Sequence, residues 1–441
     1  MSDAVPLPPR PSLEYYKKLA KDLKHACEAH DAAAIRAWAA RWIEQVAELR
    51  ADEIPLDAIG PEVDRLARRW NEAQKKRARA ERCLLTAAQF FVAREHGFES
   101  WPKFAAHLES LTQSGSAVST FEEAADAIVH GDKALLAVLL EQCPNLVHER
   151  STREHRSALL HYVSANGVED FRQRTPSNIV EITEMLINAG ADVNATSEAY
   201  GGGSTTLGLV ATSIHPEAAG VQIALLELLL AHGAQMEQPG LTGNGKSIIW
   251  GCLANGQGAA ARFFADRGAR MNLLEAAGVG RLDVVKTYFD GHGNLKPSGT
   301  KEQMESGFLY ACGYGASEVA EFLLDHGADP GTHNDRGQTG LHWAMYGPHV
   351  EVIRAFLRHG APVNAHDAMD STALHWALQG WGMTTDARER ERYYEVVGLL
   401  VNAGADVDLA QLESEQRLRR VVEKVRADAR MLEILRLRHS G

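Results

Sequence analysis

The 441-residue chain lacks most of the signals that announce a chemistry. Its five cysteines, Cys27, Cys83, Cys143, Cys252 and Cys312, are scattered, and no two stand at a spacing that grips a metal. No HExxH, paired CxxC or carboxylate-rich calcium loop occurs either, so metal catalysis has no support and no cofactor is expected. An odd cysteine count reads as reduced thiols, which suits a cytoplasmic protein. Long apolar runs are missing too. The longest, around Ile223–Ala231, is far shorter than a bilayer requires, and the N-terminal MSDAVPLPPRP has no apolar core of a secretory leader.

Positive charge is also scarce. The chain carries a formal net charge of −12, and residues 119–410 hold 20 Lys+Arg against 36 Asp+Glu. Such a surface repels polyanions, which argues against nucleic-acid and anionic-membrane partners. Residues 1–118 balance near neutrality. Their basic run KKRARAER (Lys75–Arg82) is flanked by acids and reads as a solvated helix face. What remains is ordinary folded composition, 45% apolar and 24% charged, in a chain too long for one simple core. A solenoid or two domains is expected.

The most informative feature present is a repetition. Gly-Ala recurs at Gly190, Gly233, Gly268, Gly327, Gly360 and Gly404, each time after an apolar helical stretch such as EMLINAGADVN, AFLRHGAPVN or LLVNAGADVD. The shortest interval, Gly327 to Gly360, is 33 residues. Within one unit, GQTGLHWAMYGPHVEVIRAFLRHGAPVN, Thr339 stands where a hydroxyl satisfies free N–H groups at a helix start. Leu341, Ala344 and Met345 share one buried face; Val350, Ile353, Phe356 and Leu357 share another. Gly360 falls where the second helix ends and the backbone needs positive φ. This pattern resembles the ankyrin repeat, whose Thr-Pro-Leu-His segment opens the first helix; Gly340 replaces the Pro and Pro348 the usual Gly.

The resemblance implies an all-α fold: an ankyrin-repeat solenoid of about eight repeats with short β-hairpin loops, preceded by an α-helical domain. The expected divisions are residues 1–118 for the helical domain, 119–410 for the solenoid and 411–441 for capping helices. In the first region, helices are expected near Leu13–Ala26 and over AAAIRAWAARWIEQVAEL, with a turn at Pro55–Pro61. One long helix is expected from Glu62 to His96, then a short one that Ser100 caps. Thr112–Thr120 is the expected linker. The run AREHGFESWPKFAAHLESL is similar to the helical region that precedes ankyrin repeats in many bacterial proteins, which suggests a bacterial origin.

Three constellations invite a chemical reading. GLTGNGKS (Gly240–Ser247) satisfies the P-loop pattern, but no strand precedes it, and Ser247 and Ile249 occupy repeat positions; it is read as a glycine-rich hairpin. His161, His342 and His375 occupy the repeat's Leu-His position, where ankyrins use histidine to tie hairpin to helix. The insertions are the third. Gly190–Gly233 and Gly360–Gly404 each exceed the period by about ten residues, and repeats two and three carry the added Arg153, His155, Arg156, Glu169, Arg172, Tyr200, Thr205, Thr206 and His215. These are either tolerated surface loops or a polar pocket for an anionic ligand or acidic peptide. As a site, they require Arg156, Tyr200 and His215 to converge.

The function the resemblance implies is protein binding: hairpin tips and first helices form a concave strip whose variable side chains choose another protein or peptide. Arg336, Trp343, Asp367, Trp376 and Trp381 are the candidates on it, because aromatics and arginine dominate interface energies. Trp343 and Trp376 read equally well as packing residues. The alternative is an enzyme or small-ligand binder working from the pocket of the insertions. A purely intramolecular scaffold, with the N-terminal helices filling the groove, is the third reading.

Overall fold

The computed structural model describes residues 4–8, 11–49, 58–77, 83–113, 115–237, 246–407 and 419–436. The chain divides into two compact units, Met1–Ala260 and Ala261–Gly441.

The first unit opens with five helices: α1 (Leu13–Glu28), α2 (Ala32–Leu49), α3 (Ile59–Lys75), α4 (Leu85–Glu95) and α5 (Trp101–Leu111). Ser12 and Ser100 cap α1 and α5 with their hydroxyls, accepting from the Tyr15 and Lys103 N–H groups. The apolar faces converge on an aromatic core of Tyr16, Trp38, Trp42, Trp70, Phe91 and Phe104. Two expectations are corrected here. The single helix anticipated from Glu62 to His96 is two helices, α3 and α4, with Cys83 between them at φ 56°. Cys83 is also not a free thiol: it forms a disulfide with Cys27 of α1, 56 residues away. A pairing set by the meeting of helices distant in sequence leaves no trace in local spacing. Most of the KKRARAER run and residues 55–57 of the Pro55–Pro61 turn lie outside the described residues; residues 59–61, expected in the turn, are already inside α3.

Helix pairs follow. The first is α6 (Ala117–His130) and α7 (Lys133–Gln142), so α6 begins within the stretch expected to be linker, capped by Ser116. The second joins a short 3-10 helix, Leu159–Ser164, to α8 (Ile179–Asn188). The third has a two-residue hairpin, β1 (Thr196–Ser197) against β2 (Ser204–Thr205) in antiparallel register, then α9 (Thr206–Ala211), the extra helix α10 (Ile214–Ala218) and α11 (Gln222–Ala231). Gly190 shows why the chain repeats glycine. At φ 103° it ends α8, and Ala191 N–H reaches back to the Leu186 carbonyl at 3.0 Å, a closure that side chains oppose. Next come α12 (Ile248–Ala254) and α13 (Gly258–Asp266), which spans the division between the units. Residues 238–245, the greater part of the P-loop look-alike, lie outside the described residues. Ser247 caps α12, accepting from Trp250 N–H at 3.0 Å, which is the repeat role the sequence assigned to it.

The second unit continues with the pairs α14 (Leu273–Val279) and α15 (Leu282–Thr287), α16 (Lys301–Gly313) and α17 (Ser317–Asp325), α18 (Gly340–Trp343) and α19 (Val350–Arg358), and α20 (Ala373–Met383) and α21 (Ala387–Asn402). Two last helices, α22 (Arg419–Ala427) and α23 (Ala429–Arg436), bury Val422, Val425 and Met431 in the same core as Phe308, Leu341, Phe356 and Leu374. Tyr394 of α21 donates to Asp428 at 2.7 Å, fixing this end of the stack.

The Leu-His histidines hold the pairs as anticipated. His342 Nδ1 accepts from Thr339 N–H at 3.1 Å while Nε2 faces the Ser371 carbonyl at 3.0 Å. His161 does the same with Ala158 N–H and the Ala195 carbonyl. One nitrogen must accept and the other donate, so both rings are neutral with the proton on Nε2. Among the described residues no helix is long and apolar enough to cross a membrane.

Candidate functional site

The charged residues of the insertion in the second pair do come together, but as an internal network. Arg153 is 3% exposed and Glu169 1%. Arg153 binds Glu122 at 2.5 Å and Glu169 at 2.9 Å; Arg172 binds Glu122 at 2.8 Å and Asp126 at 2.7 Å. Glu122 and Asp126, one turn apart on α6, thus meet both insertion arginines. Burial pushes the Glu122 carboxyl upward, yet Arg153 and Arg172 outweigh it and hold it at about 2. Glu169 is likewise raised by burial and pulled well below the carboxylate range by the same two cations. His155 turns Nε2 toward Glu169 at 3.4 Å and accepts from Ser157 N–H through Nδ1. Behind the network, His107 of α5 contacts the Thr152 hydroxyl at 2.7 Å, and Arg94 of α4 pairs with Glu154. The network therefore ties the N-terminal helices, the first pair and the insertion.

The rest of the insertion residues lie elsewhere. Arg156, at φ 51°, is exposed, and its carbonyl accepts from Arg150. Tyr200, at φ 54° and also exposed, donates to Asn166 at 2.5 Å. Thr205 caps α9 through Gly208 N–H, Thr206 is buried beside it, and His215 is half-buried on α10. Among the described residues no hydrogen bond or ion pair joins Arg156, Tyr200 and His215. His215 sits on α10, the short extra helix between α9 and α11.

In the second unit the first helices carry a ladder of rings. Tyr310 of α16 meets Trp343 of α18 edge-on at 5.1 Å; Trp343 meets Tyr346 at 5.8 Å, and Tyr346 meets Trp376 of α20 at 5.5 Å. The ladder is built in place. Gly313 leaves room for the indole of Trp343, since a Cβ there would stand 2.9 Å from its ring. Asp367 fixes Trp376, accepting from its Nε1 at 3.1 Å, while its other oxygen accepts from Met369 and Ser371 N–H. Tyr346 is 60% exposed, Trp343 and Trp376 are half-buried, and Trp343 Nε1 has no hydrogen-bond partner among the described residues. Arg336 is exposed on the neighbouring hairpin, its carbonyl accepting from Ala368 N–H at 2.7 Å. Trp381 does not join: it is buried against Tyr394 at 6.0 Å. Sequence reading missed Tyr310 and Tyr346, although Tyr310, Trp343 and Trp376 are spaced by the same 33 residues as the repeat.

With paired helices, Leu-His ties and hairpin closures established, the family comparison adds its finding: residues 308–411 match the model of ankyrin repeats (3 copies). These residues are ankyrin repeats. The fold is an all-α ankyrin solenoid. No curated protein matches the chain. Among solved structures, the chain is similar to the ankyrin repeat domain of Bcl-3, a member of the IkappaB family, at 17% identity over 57% of this chain and 92% of that one, with a TM-score of 0.29. It is also similar to the human ASB11 ankyrin repeat domain, at 19% identity over 65% of this chain and 99% of that one, with a TM-score of 0.32. Ankyrin repeats generally mediate protein–protein interaction.

Proposed function

We propose that the chain is a protein-binding ankyrin repeat protein and that the ladder Tyr310–Trp343–Tyr346–Trp376 is where its partner, another protein or a peptide, docks. The observation that carries this reading is the rigid set of part-exposed rings, with Tyr346 60% exposed between Trp343 and Trp376. Rings held before binding lose little freedom on association, and Trp and Tyr are the residue types that dominate interface energies. Gly313 beneath Trp343 and Asp367 beside Trp376 support a preorganised surface over incidental exposure. The acidic balance of the repeats favours a neutral or basic partner over nucleic acid or an anionic membrane. A cytoplasmic, bacterial setting belongs to the same proposal; the Cys27–Cys83 bond is the observation that weighs against a reducing compartment.

Affinity capture with the full chain tests this. Tyr346→Ala, at an exposed position, and Trp376→Ala should each lower recovery of a specific partner by about tenfold or more, the scale of a hot-spot truncation, with the fold retained by circular dichroism. Partners recovered equally by the wild type and both variants would sink the assignment.

A further inference from the structure

The aromatic ladder lies beside a cation that the fold leaves uncommitted, and that neighbour narrows what the ladder can bind. Arg336 is at the tip of the hairpin, bridged between His333 and Thr339, that leads into α18. Its backbone is fixed on both sides. The Arg336 N–H donates to Asn334 Oδ1 at 2.9 Å, and its carbonyl accepts from Ala368 N–H of the next hairpin at 2.7 Å. Gly337, at φ 71°, lets the two hairpins close: a Cβ there would stand 3.3 Å from the backbone of Asp367 and Ala368. The second hairpin also carries Asp367, which holds Trp376, and Met369, 62% exposed. The same pair of hairpin tips therefore sets both the Arg336 backbone and one end of the ladder. The Arg336 side chain is exposed and makes no ion pair or hydrogen bond among the described residues. By contrast, Arg358 and Arg430, likewise exposed, are answered by the carboxylates of Glu321 and Glu391. Arg336 acts on the ladder itself. Burial pushes the Tyr346 hydroxyl above its ordinary value, and the nearby Arg336 charge pulls it back.

We propose that the ladder's partner is an extended protein segment in which a single Asp or Glu neighbours an aromatic or aliphatic residue, the apolar side chain lying on Tyr346 and Trp376 and the carboxylate pairing with Arg336. This deepens the docking reading above and rests on it. An extended segment fits because the rings run along three successive first helices, α16, α18 and α20. A carboxylate fits because its two oxygens match the parallel N–H donors of a guanidinium. An apolar group placed beside that pair keeps water from it and strengthens the attraction. The rest of the surface limits the motif. With 20 Lys+Arg against 36 Asp+Glu over residues 119–410, the repeats repel a run of acids, so the segment carries one acid and is neutral or basic as a whole.

Random linear peptides displayed on phage and panned against the immobilised full chain test this, with Tyr346→Ala, Arg336→Gln and Arg336→Glu as parallel targets. Peptides enriched on the wild type and lost on Tyr346→Ala should share one Asp or Glu at a fixed spacing from an aromatic or aliphatic residue. On Arg336→Glu that position should turn to Lys or Arg. The most enriched peptide, synthesised and titrated by calorimetry, should bind about fivefold more weakly when its acid is replaced by the amide, and equally so to Arg336→Gln. Making both changes together should cost no more than either alone, the mark of a direct pair. Rising salt should weaken the wild-type interaction, since the pair is exposed to screening. The Arg336 side chain is exposed, so both of its variants should keep the wild-type melting curve. Tyr346-dependent peptides with no shared acid, or an acid preference unchanged on Arg336→Glu, would overturn this inference and leave docking at the ladder standing. Recovery of no peptide that depends on Tyr346 would overturn both.

Discussion

Gly340 offers a test of whether packing or local preference governs this chain. It is the first residue of α18, preceded by Thr339 in extended conformation at φ −81°, ψ 171°. Both facts favour proline, the residue the repeat pattern carries there. The first helical N–H has no intrahelical partner to lose, and an extended residue before proline is unstrained. By backbone entropy alone, Gly340→Pro should stabilise by about 0.4–1 kcal/mol. The surroundings say otherwise. A Cβ on Gly340 would stand 2.9 Å from Phe356 Cε1, closer still to Cζ, and 3.1 Å from Cys312 Sγ. Phe356 cannot retreat easily: it is fully buried and stacked on Phe308, centroids 5.1 Å apart at 17°. Overpacking a core in this way costs about 1–3 kcal/mol, so the steric effect wins and Gly340→Pro is destabilising by about 1–2 kcal/mol net.

The decisive measurement is a double-mutant cycle with Phe356→Leu, which removes the obstructing ring edge. Local stability is read from hydrogen exchange of peptides within residues 308–358. Phe356→Leu alone should cost about 1–2 kcal/mol through the space it leaves. In that background Gly340→Pro should become neutral or stabilising, giving a coupling of about 1–3 kcal/mol. Additive effects, or slower exchange in Gly340→Pro alone, would refute the reasoning. The glycine would then be a chance departure from the repeat.

Acid should destabilise the first unit early, because burial pushes the imidazoles of His96, His107 and His161 down to about 3, 4 and 4. A depressed histidine value means the unfolded chain binds the extra proton, so this stability is whole above about pH 6.5 and falls toward pH 4, by up to about 1.4 kcal/mol per pH unit for each ring. Melting temperatures that stay flat from pH 7.5 to 4.5 would contradict those buried neutral rings. The Cys27–Cys83 bond closes a loop of 56 residues and should contribute about 2–4 kcal/mol. Reductant should therefore lower the melting temperature of the wild type and leave that of Cys27→Ser/Cys83→Ser unchanged; an identical response of the two would disprove it.

The fold was legible because its determinants are local. Thr339, Leu341 and Gly360 each act within their own repeat unit, by capping, facing its core or reversing a helix end, and His342 caps α18 locally while reaching only to the next hairpin at Ser371. The same reading failed between Glu62 and His96, where a run of helix-favouring residues concealed a break. Nothing in the sequence near Cys83 tells that its partner sits on α1, across a gap in sequence that only tertiary packing closes. The aromatic ladder was half legible. Trp343 and Trp376 stood out as tryptophans, while Tyr310 at the same period and Tyr346 one turn beyond Trp343 required the helices to be seen side by side.

The insertion in the second pair was only partly legible, for a more general reason. Arginine, histidine and glutamate concentrated in a loop look like an unfilled site as long as their partners are unknown. Here the partners are Glu122 and Asp126, 31 or more residues earlier than the arginines they pair with, where two acids within an apolar face gave no sign of what they would meet. Once paired, the arginines no longer attract anions; they fix how the insertion sits against α6. Buried ion pairs of this kind add little net stability, since desolvation offsets most of the attraction, but a wrong arrangement that leaves one charge unpaired costs about 3–5 kcal/mol. That penalty selects a single packing of the insertion on α6.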